Sequence, residues 1–257
     1  MRKLQKISII AGILLIVVIG YAGYLRLHYE VPILMYHSLD ASRVDSYAAV
    51  SPEHFREQLQ FIKQGGYKVM PLEEYCSMLK DGRKPPRKSV VITFDDGHKD
   101  NLAAAELLEE FGFPATVFII ANKLGRPGYL SREDVKLILR DEHMAIGSHT
   151  LNEVYLPDAS EAVLRREITG SRKKLEEIFG RDINTFSYTI GGFNEVALRE
   201  VQDAGYICAC TTNRGYDRKP NRFALRRIKI NDGDTGFGLM AKLSGHYNLF
   251  RKPKKPY

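Results

Sequence analysis

Val90-Val91-Ile92-Thr93-Phe94-Asp95-Asp96-Gly97 decides how this 257-residue chain is read. An apolar, β-branched run of strand length stops abruptly at two adjacent carboxylates and a glycine. Side-by-side acids repel each other and are costly to desolvate. A fold tolerates them most readily where a cation or a proton-transfer task uses them. Asp-Gly is also ordinary turn chemistry, so the pair alone leaves a solvated strand-to-loop turn open. The surrounding chain decides between the two.

Outward from this run, strand-like and helix-like segments alternate. Val31 to Tyr36 reads as a short strand ending at His37. Ser51-Pro52-Glu53 opens a helix, with Ser as cap and Pro in the first turn, and Phe55, Leu59 and Ile62 recur at helical spacing. Tyr67 to Met70 is the next strand and Leu72 opens a helix. After Val90 to Phe94 come an Ala/Leu-rich helix (Asn101 to Phe111, closed by Gly112) and a strand (Ala115 to Ile120). A capping signal at Ser131-Arg132-Glu133-Asp134 precedes a helix from Val135 to Arg140. His143 to Ser148 is a strand ending at His149, and Asp158 to Phe179 a long helix. Ile183 to Tyr188 is a strand, Asn194 caps a helix, and Tyr206 to Cys210 and Leu225 to Ile230 are the last strands. The polar stretch Asp40 to Ala49 is the one long linker.

This βαβα order predicts a mostly parallel α/β sheet whose element count suits a barrel; a doubly wound open sheet is the alternative. No Gly-x-Gly-x-x-Gly and no phosphate loop occurs, which weakens any nucleotide-binding version of either.

The charged fraction of 27% and the hydrophobic fraction of 44% are ordinary for a globular chain that needs no disulfide support, and the net charge is +7. Arg2, Lys3, Lys6, Arg251, Lys252, Lys254 and Lys255 carry part of the excess. Such a balance suits anionic membrane or cell-wall polymers, or plain solubility; no nucleic-acid motif is present and nucleic acid is not an expected partner. Three cysteines (Cys76, Cys208, Cys210) do not make a disulfide framework, and Cys208 and Cys210 read as small buried strand residues. Ile7 to Leu25 holds 19 residues without a charge behind Arg2, Lys3 and Lys6. That is long enough to span a bilayer, and the basic flank predicts a cytoplasmic N-terminus and an exported body. A cleaved signal peptide is the rival. The expected organisation is a basic N-terminus (1–6), a transmembrane anchor (7–25), one catalytic domain (26–250) and a basic tail (251–257), at the cell membrane with the domain extracytoplasmic.

Four strands finish in chemically useful groups: His37, Asp95-Asp96, Ser148-His149, and Tyr188 followed by Gly191-Gly192. In a parallel barrel all C-terminal strand ends face one mouth, so these groups converge. Asp and His suit zinc or a similar divalent ion, and Glu153 lies four residues after His149, on the same side if that loop turns helically.

These residues resemble the polysaccharide deacetylases, the family sharing the NodB homology domain (carbohydrate esterase family 4). Thr93-Phe94-Asp95-Asp96-Gly97 matches its first motif, Gly147-Ser148-His149-Thr150 the start of its second, and Phe186-Ser187-Tyr188-x-x-Gly191 resembles its third. Val31-Pro32-Ile33-Leu34-Met35-Tyr36-His37-Ser38 and Leu225-Arg226-Arg227-Ile228 resemble the branch that de-N-acetylates poly-N-acetylglucosamine. The resemblance spans roughly residues 31 to 245. It implies a distorted, incomplete (β/α) barrel, a divalent metal (zinc first; cobalt, nickel or manganese otherwise) and an N-acetylated polysaccharide substrate. It makes Asp95 the general base, Asp96 and His149 metal ligands, and His37 the general acid. Arg227, less surely Arg226, would hold the base ionised. The N–H groups of Tyr188 and Thr189 would stabilise the oxyanion.

Two departures stand out. The family carries a second His where this chain has Glu153, making an Asp-His-Glu set harder and more negative. Its third motif usually reads Tyr-Pro-Tyr-Gly, here Tyr188-Thr189-Ile190-Gly191, which removes a loop-stiffening Pro and a sugar-stacking aromatic. The alternative is therefore a degenerate relative that binds glycan at the membrane without turnover.

Overall fold

The computed structural model describes residues 2–40, 49–140, 142–216, 220–252 and 254. Residues 41–48 of the polar stretch and Lys255 of the basic tail lie outside them. The chain divides into two units, Met1–Glu30 and Val31–Tyr257.

The first unit is one helix, α1 (Arg2–Leu27). Its stretch Ile9–Leu27 has a mean hydropathy of 2.1. At ~1.5 Å per residue it is about as long as the ~30 Å hydrocarbon core is thick. By length and composition it is apolar enough to cross a membrane.

The second unit is a nearly closed parallel α/β barrel. Strands β1 (Ile33–Tyr36), β2 (Lys68–Val69), β3 (Ser89–Phe94), β4 (Ala115–Ile119), β5 (Met144–Ser148), β6 (Thr185–Ser187), β7 (Cys208–Thr211), β8 (Leu225–Arg226) and β9 (Ile228–Lys229) form one sheet in the order β8-β7-β6-β5-β4-β3-β1-β9, with β2 added against β3. Every ladder is parallel; Tyr36 pairs with Phe94 and Ile119 with Ser148. The run expected as one strand from Leu225 to Ile230 is broken at Arg227. Its first half pairs with β7 and its second half with β1. One short segment thus joins the two ends of the sheet, and Arg227 is the residue at the junction.

Helices α2 (Pro52–Gln64), α3 (Leu72–Lys80), α4 (Asn101–Phe111), α5 (Arg132–Ile138), α6 (Glu161–Phe179), α7 (Glu195–Asp203) and α8 (Gly236–Leu243) follow. Their ends obey local chemistry. Ser51 caps α2, whose Phe55, Leu59 and Ile62 are buried. Ser131 and Asp134 form a reciprocal capping box on α5, Asn194 Oδ1 accepts from Ala197 N at 2.8 Å, and Gly112 ends α4 at φ +66°.

Two further expectations are corrected, and one helix is added. The long helix starts at Glu161, because Leu156–Asp158 forms a separate 3-10 turn and Ala159 is extended. Helix α8 was not expected, its glycines Gly236 and Gly238 being poor helix formers. Cys208 is no free core thiol: it is disulfide-bonded to Cys76 of α3, 132 residues away in sequence. Spacing could not reveal a pair that only the fold brings together. Cys210 is free and buried, and burial pushes its thiol up to about 12.

Candidate active site

Strand ends β1, β3, β5 and β6 open into one cleft of ≈ 640 Å³, where His37, Asp95, Asp96, His149, Thr189 and Arg227 meet. At its floor Arg227 grips Asp95 with two parallel bonds, Nη1 to Oδ1 at 2.7 Å and Nη2 to Oδ2 at 2.6 Å. Nη2 also donates to Ser187 Oγ at 2.8 Å, and the guanidinium stands 5.5 Å from the Phe118 ring centroid. Both partners are almost fully buried. Burial is the largest single influence and pushes the Asp95 carboxyl up, but the charge and hydrogen bonds of Arg227 together with His149 and His37 make the net shift downward. Arg226 points elsewhere, donating to the Gly215 carbonyl at 2.7 Å.

Asp96 sits on strained backbone at φ +71°. Its Oδ1 faces His149 Nε2 at 3.5 Å, and its Oδ2 faces His98 Nε2 at 3.3 Å. Burial raises its pKa, yet the hydrogen bond from His98 and the charges of His149 and His37 carry the net shift down. His149 Nδ1 lies 2.7 Å from the Ser187 carbonyl. A carbonyl only accepts, so Nδ1 carries a proton and Nε2 is the nitrogen left facing the Asp96 carboxylate. With Nε2 unprotonated, the imidazole and the carboxylate present two donor atoms to one point, and a His oriented through its other nitrogen is how metal ligands are held. Asp96 and His149 therefore fit a divalent metal.

Glu153 is placed differently from the expectation. The loop does not turn helically: Thr150 and Glu153 are both left-handed, at φ +66° and +64°. The Glu153 carboxylate is held by the Lys123 ammonium. It lines the cleft, but among the described residues no three His, Cys, Asp or Glu side chains are grouped to hold a metal. Glu167 of α6 fixes this loop, accepting from Leu151 N at 3.1 Å and from Asn152 N and Nδ2 at 2.8 and 2.7 Å.

His37 is anchored through its backbone, where Asn101 Nδ2 donates to its carbonyl at 2.8 Å. The next residue, Ser38, donates to Asp100 at 2.5 Å. His37 Nδ1 is buried without a partner. Burial lowers its pKa, only partly offset by Asp95 and Asp96.

The two backbone N–H groups expected at the oxyanion part company. Tyr188 N donates to the Cys210 carbonyl at 3.0 Å and is spent on the sheet. Its ring is core, stacked on Phe193. Thr189 opens the 3-10 turn Thr189–Gly191, where the first N–H groups have no partner within the turn, and it borders the cleft. The loop that lacks the family's Pro is pinned instead by Thr211 Oγ1 to the Gly191 carbonyl at 2.6 Å and Thr212 Oγ1 to the Ile190 carbonyl at 2.8 Å. Only glycine fits position 191: φ is +76° and a Cβ would lie 2.0 Å from Thr212 Oγ1.

The polysaccharide deacetylase model matches residues 82–209. YxkH of Bacillus subtilis (strain 168), assigned to the polysaccharide deacetylases, is 30% identical over 80% of this chain and 74% of its own. The chain belongs to the polysaccharide deacetylase family. With that family it is a hydrolase of carbon–nitrogen bonds other than peptide bonds. The poly-beta-1,6-N-acetyl-D-glucosamine N-deacetylase of Staphylococcus aureus (strain MSSA476) is 27% identical over 77% of this chain and 73% of its own. The Streptococcus pyogenes deacetylase PplD, solved in complex with acetate, superposes with a TM-score of 0.76 at 27% identity, covering 83% of this chain and 97% of that one.

Residue-by-residue reading missed several contributors. Ser187 braces both Arg227 and His149, His98 flanks Asp96, Lys123 and Glu167 fix the second-motif loop, and Tyr247 supplies an aromatic in the cleft. His98 alone carried a signal, lying two residues beyond the acid pair.

Proposed function

We propose that this protein is a membrane-anchored, metal-dependent deacetylase that removes N-acetyl groups from N-acetylglucosamine units of a cell-wall or exopolysaccharide. The observation that carries this reading is the clamp of Arg227 on Asp95 within the cleft that holds Asp96, His149 and His37. A carboxylate kept ionised in a buried site is a base ready to accept a proton at neutral pH.

Asp96 and His149 would hold the divalent ion, zinc by the preference of mixed carboxylate–imidazole sites, with Glu153 freed from Lys123 as a third ligand only if that ion pair breaks. Bound there, the metal supplies Lewis-acid polarisation and a more acidic water. Asp95 takes a proton from the attacking water as its oxygen bonds to the acetamide carbon. The Thr189 N–H faces the oxyanion. His37 delivers a proton to the amine nitrogen as the C–N bond breaks, leaving acetate and a glucosamine amine. Its lowered pKa makes its protonated form a ready donor.

The apolar stretch of α1 behind Arg2, Lys3 and Lys6 supports a single-pass anchor with the N-terminus inside. The Cys76–Cys208 disulfide supports an extracytoplasmic domain, since such bonds persist in oxidising compartments.

The test is acetate release from β-linked N-acetylglucosamine oligosaccharides by the full-length protein in detergent with added zinc. Asp95→Asn is expected to lower kcat by at least about 100-fold. Equal turnover by Asp95→Asn would sink the mechanism. Oligosaccharide binding without acetate release would favour the glycan-binding alternative.

A further inference from the structure

The cleft holds more positive charge than deacetylation uses. Arg227 is committed to Asp95, and Lys242 to Asp234 at 2.5 Å. Arg214, from the loop after β7, and Arg251 and Lys254, from the C-terminal segment, line the same cleft. Among the described residues no carboxylate pairs with any of these three. Lys229, at the end of β9, adds a fourth cation to the lining. The grouping is built by the fold: Lys254 N donates to the Arg214 carbonyl at 3.2 Å across 40 residues of chain, and the Arg251 guanidinium lies 5.0 Å from the centroid of the Tyr247 ring.

Solubility does not call for cations gathered inside a concave site, where low-dielectric walls focus their field and make their mutual repulsion costlier. A neutral N-acetylglucosamine polymer can accept hydrogen bonds from them but has no charge to balance theirs. Its deacetylated product is polycationic and would be repelled. An anion next to the reacting sugar would use Arg214, Arg251 and Lys254, and Arg in particular suits phosphate and carboxylate oxygens.

Building on the deacetylase reading, we propose that the glycan this site accepts carries an anionic group, a phosphodiester or a carboxylate, beside the acetamido sugar, bound by Arg214, Arg251 and Lys254. The polymer would therefore be an anionic wall or surface glycan rather than a uniform neutral homopolymer.

Three substrates test this on the full-length protein in detergent with zinc: a neutral N-acetylglucosamine oligosaccharide, the same oligosaccharide bearing one phosphodiester, and one bearing a uronic acid. The expected result is a KM about tenfold lower for one anionic form, an advantage that shrinks as NaCl rises from about 0.02 to 0.5 M. The arm that gains identifies the anion. Arg214→Ala/Arg251→Ala/Lys254→Ala should erase the anionic-to-neutral ratio, while Arg214→Lys/Arg251→Lys, which keeps the charge, should retain most of it. Thermal melting of each variant separates this from misfolding. Equal KM for neutral and anionic forms, with acetate released from both, overturns the proposal and leaves the deacetylase reading standing. If no substrate yields acetate, that reading fails instead. Direct binding then judges the cationic site separately: anion-selective binding lost in the triple Ala variant upholds it, and equal binding of neutral and anionic oligosaccharides overturns it.

Discussion

Replacing Arg227 with Met should unmask the cost of burying Asp95. The wild-type pair is desolvated on both sides, joined by two bonds of 2.7 and 2.6 Å, and braced by Ser187. Removing the cation leaves a buried carboxylate without its main counter-charge. Breaking such a pair from one side costs about 3–5 kcal/mol, a large part of the roughly 5–15 kcal/mol that holds an ordinary domain folded. Asp95→Asn/Arg227→Met removes both charges and should recover most of the loss. The pH dependence gives an independent check. In the wild type the Asp95 pKa is depressed, so its stabilisation is present above the unfolded value near 3.9 and is lost as pH falls through the folded value. In Arg227→Met, burial, the largest influence, is opposed only by His149 and His37, and the folded pKa is expected to rise above the unfolded one. The penalty of the variant is then full at pH 7 and shrinks as pH falls toward about 4 and the carboxyl takes a proton. Guanidinium unfolding of the full-length protein with chelator, at both pH values, measures this. A loss under about 1 kcal/mol at pH 7, or a loss unchanged by pH, would refute the view of the pair as a buried, mutually dependent unit.

Calorimetric zinc titration should show binding weakened at least about 100-fold by Asp96→Ala or His149→Ala, and no more than about threefold by Glu153→Ala; equal losses in all three would restore Glu153 as a ligand. Gly191→Ala should lower stability by about 1–3 kcal/mol and reduce turnover, because the new Cβ meets Thr212; melting unchanged from wild type would show that the loop yields freely. Asp134 accepts from Ser131 N at 2.6 Å and from Lys99 at 2.5 Å, and despite burial its pKa is lowered by Lys99 and Ser131. Its stabilisation is present above the unfolded carboxyl value and lost as pH falls through the folded one. Asp134→Asn should therefore lower Tm at pH 7 and much less near pH 3; an equal drop at both would contradict it.

Local chemistry made much of this protein legible. The strand at Val90 to Phe94 followed from its β-branched run, the start of α2 from Ser51 and Pro52, that of α7 from Asn194, and the end of α4 from Gly112, because caps and periodicity act over a few residues. The acid pair declared itself by the cost of placing Asp95 beside Asp96, and the parallel order of elements was enough to bring His37, Asp95, Asp96 and His149 to one mouth. What the sequence left open depends on partners distant along the chain. Cys76 met Cys208 only through the barrel, and Lys123 claimed Glu153 only because two loops abut. Tyr188 lost its N–H to Cys210 in a ladder that no motif encodes, and Arg227 rather than Arg226 reached Asp95 because the closing strand breaks at that residue. A sequence fixes which groups have the chemistry, since that resides in the side chains. Which of them face one another is set by how the sheet closes, and tertiary structure alone decides that.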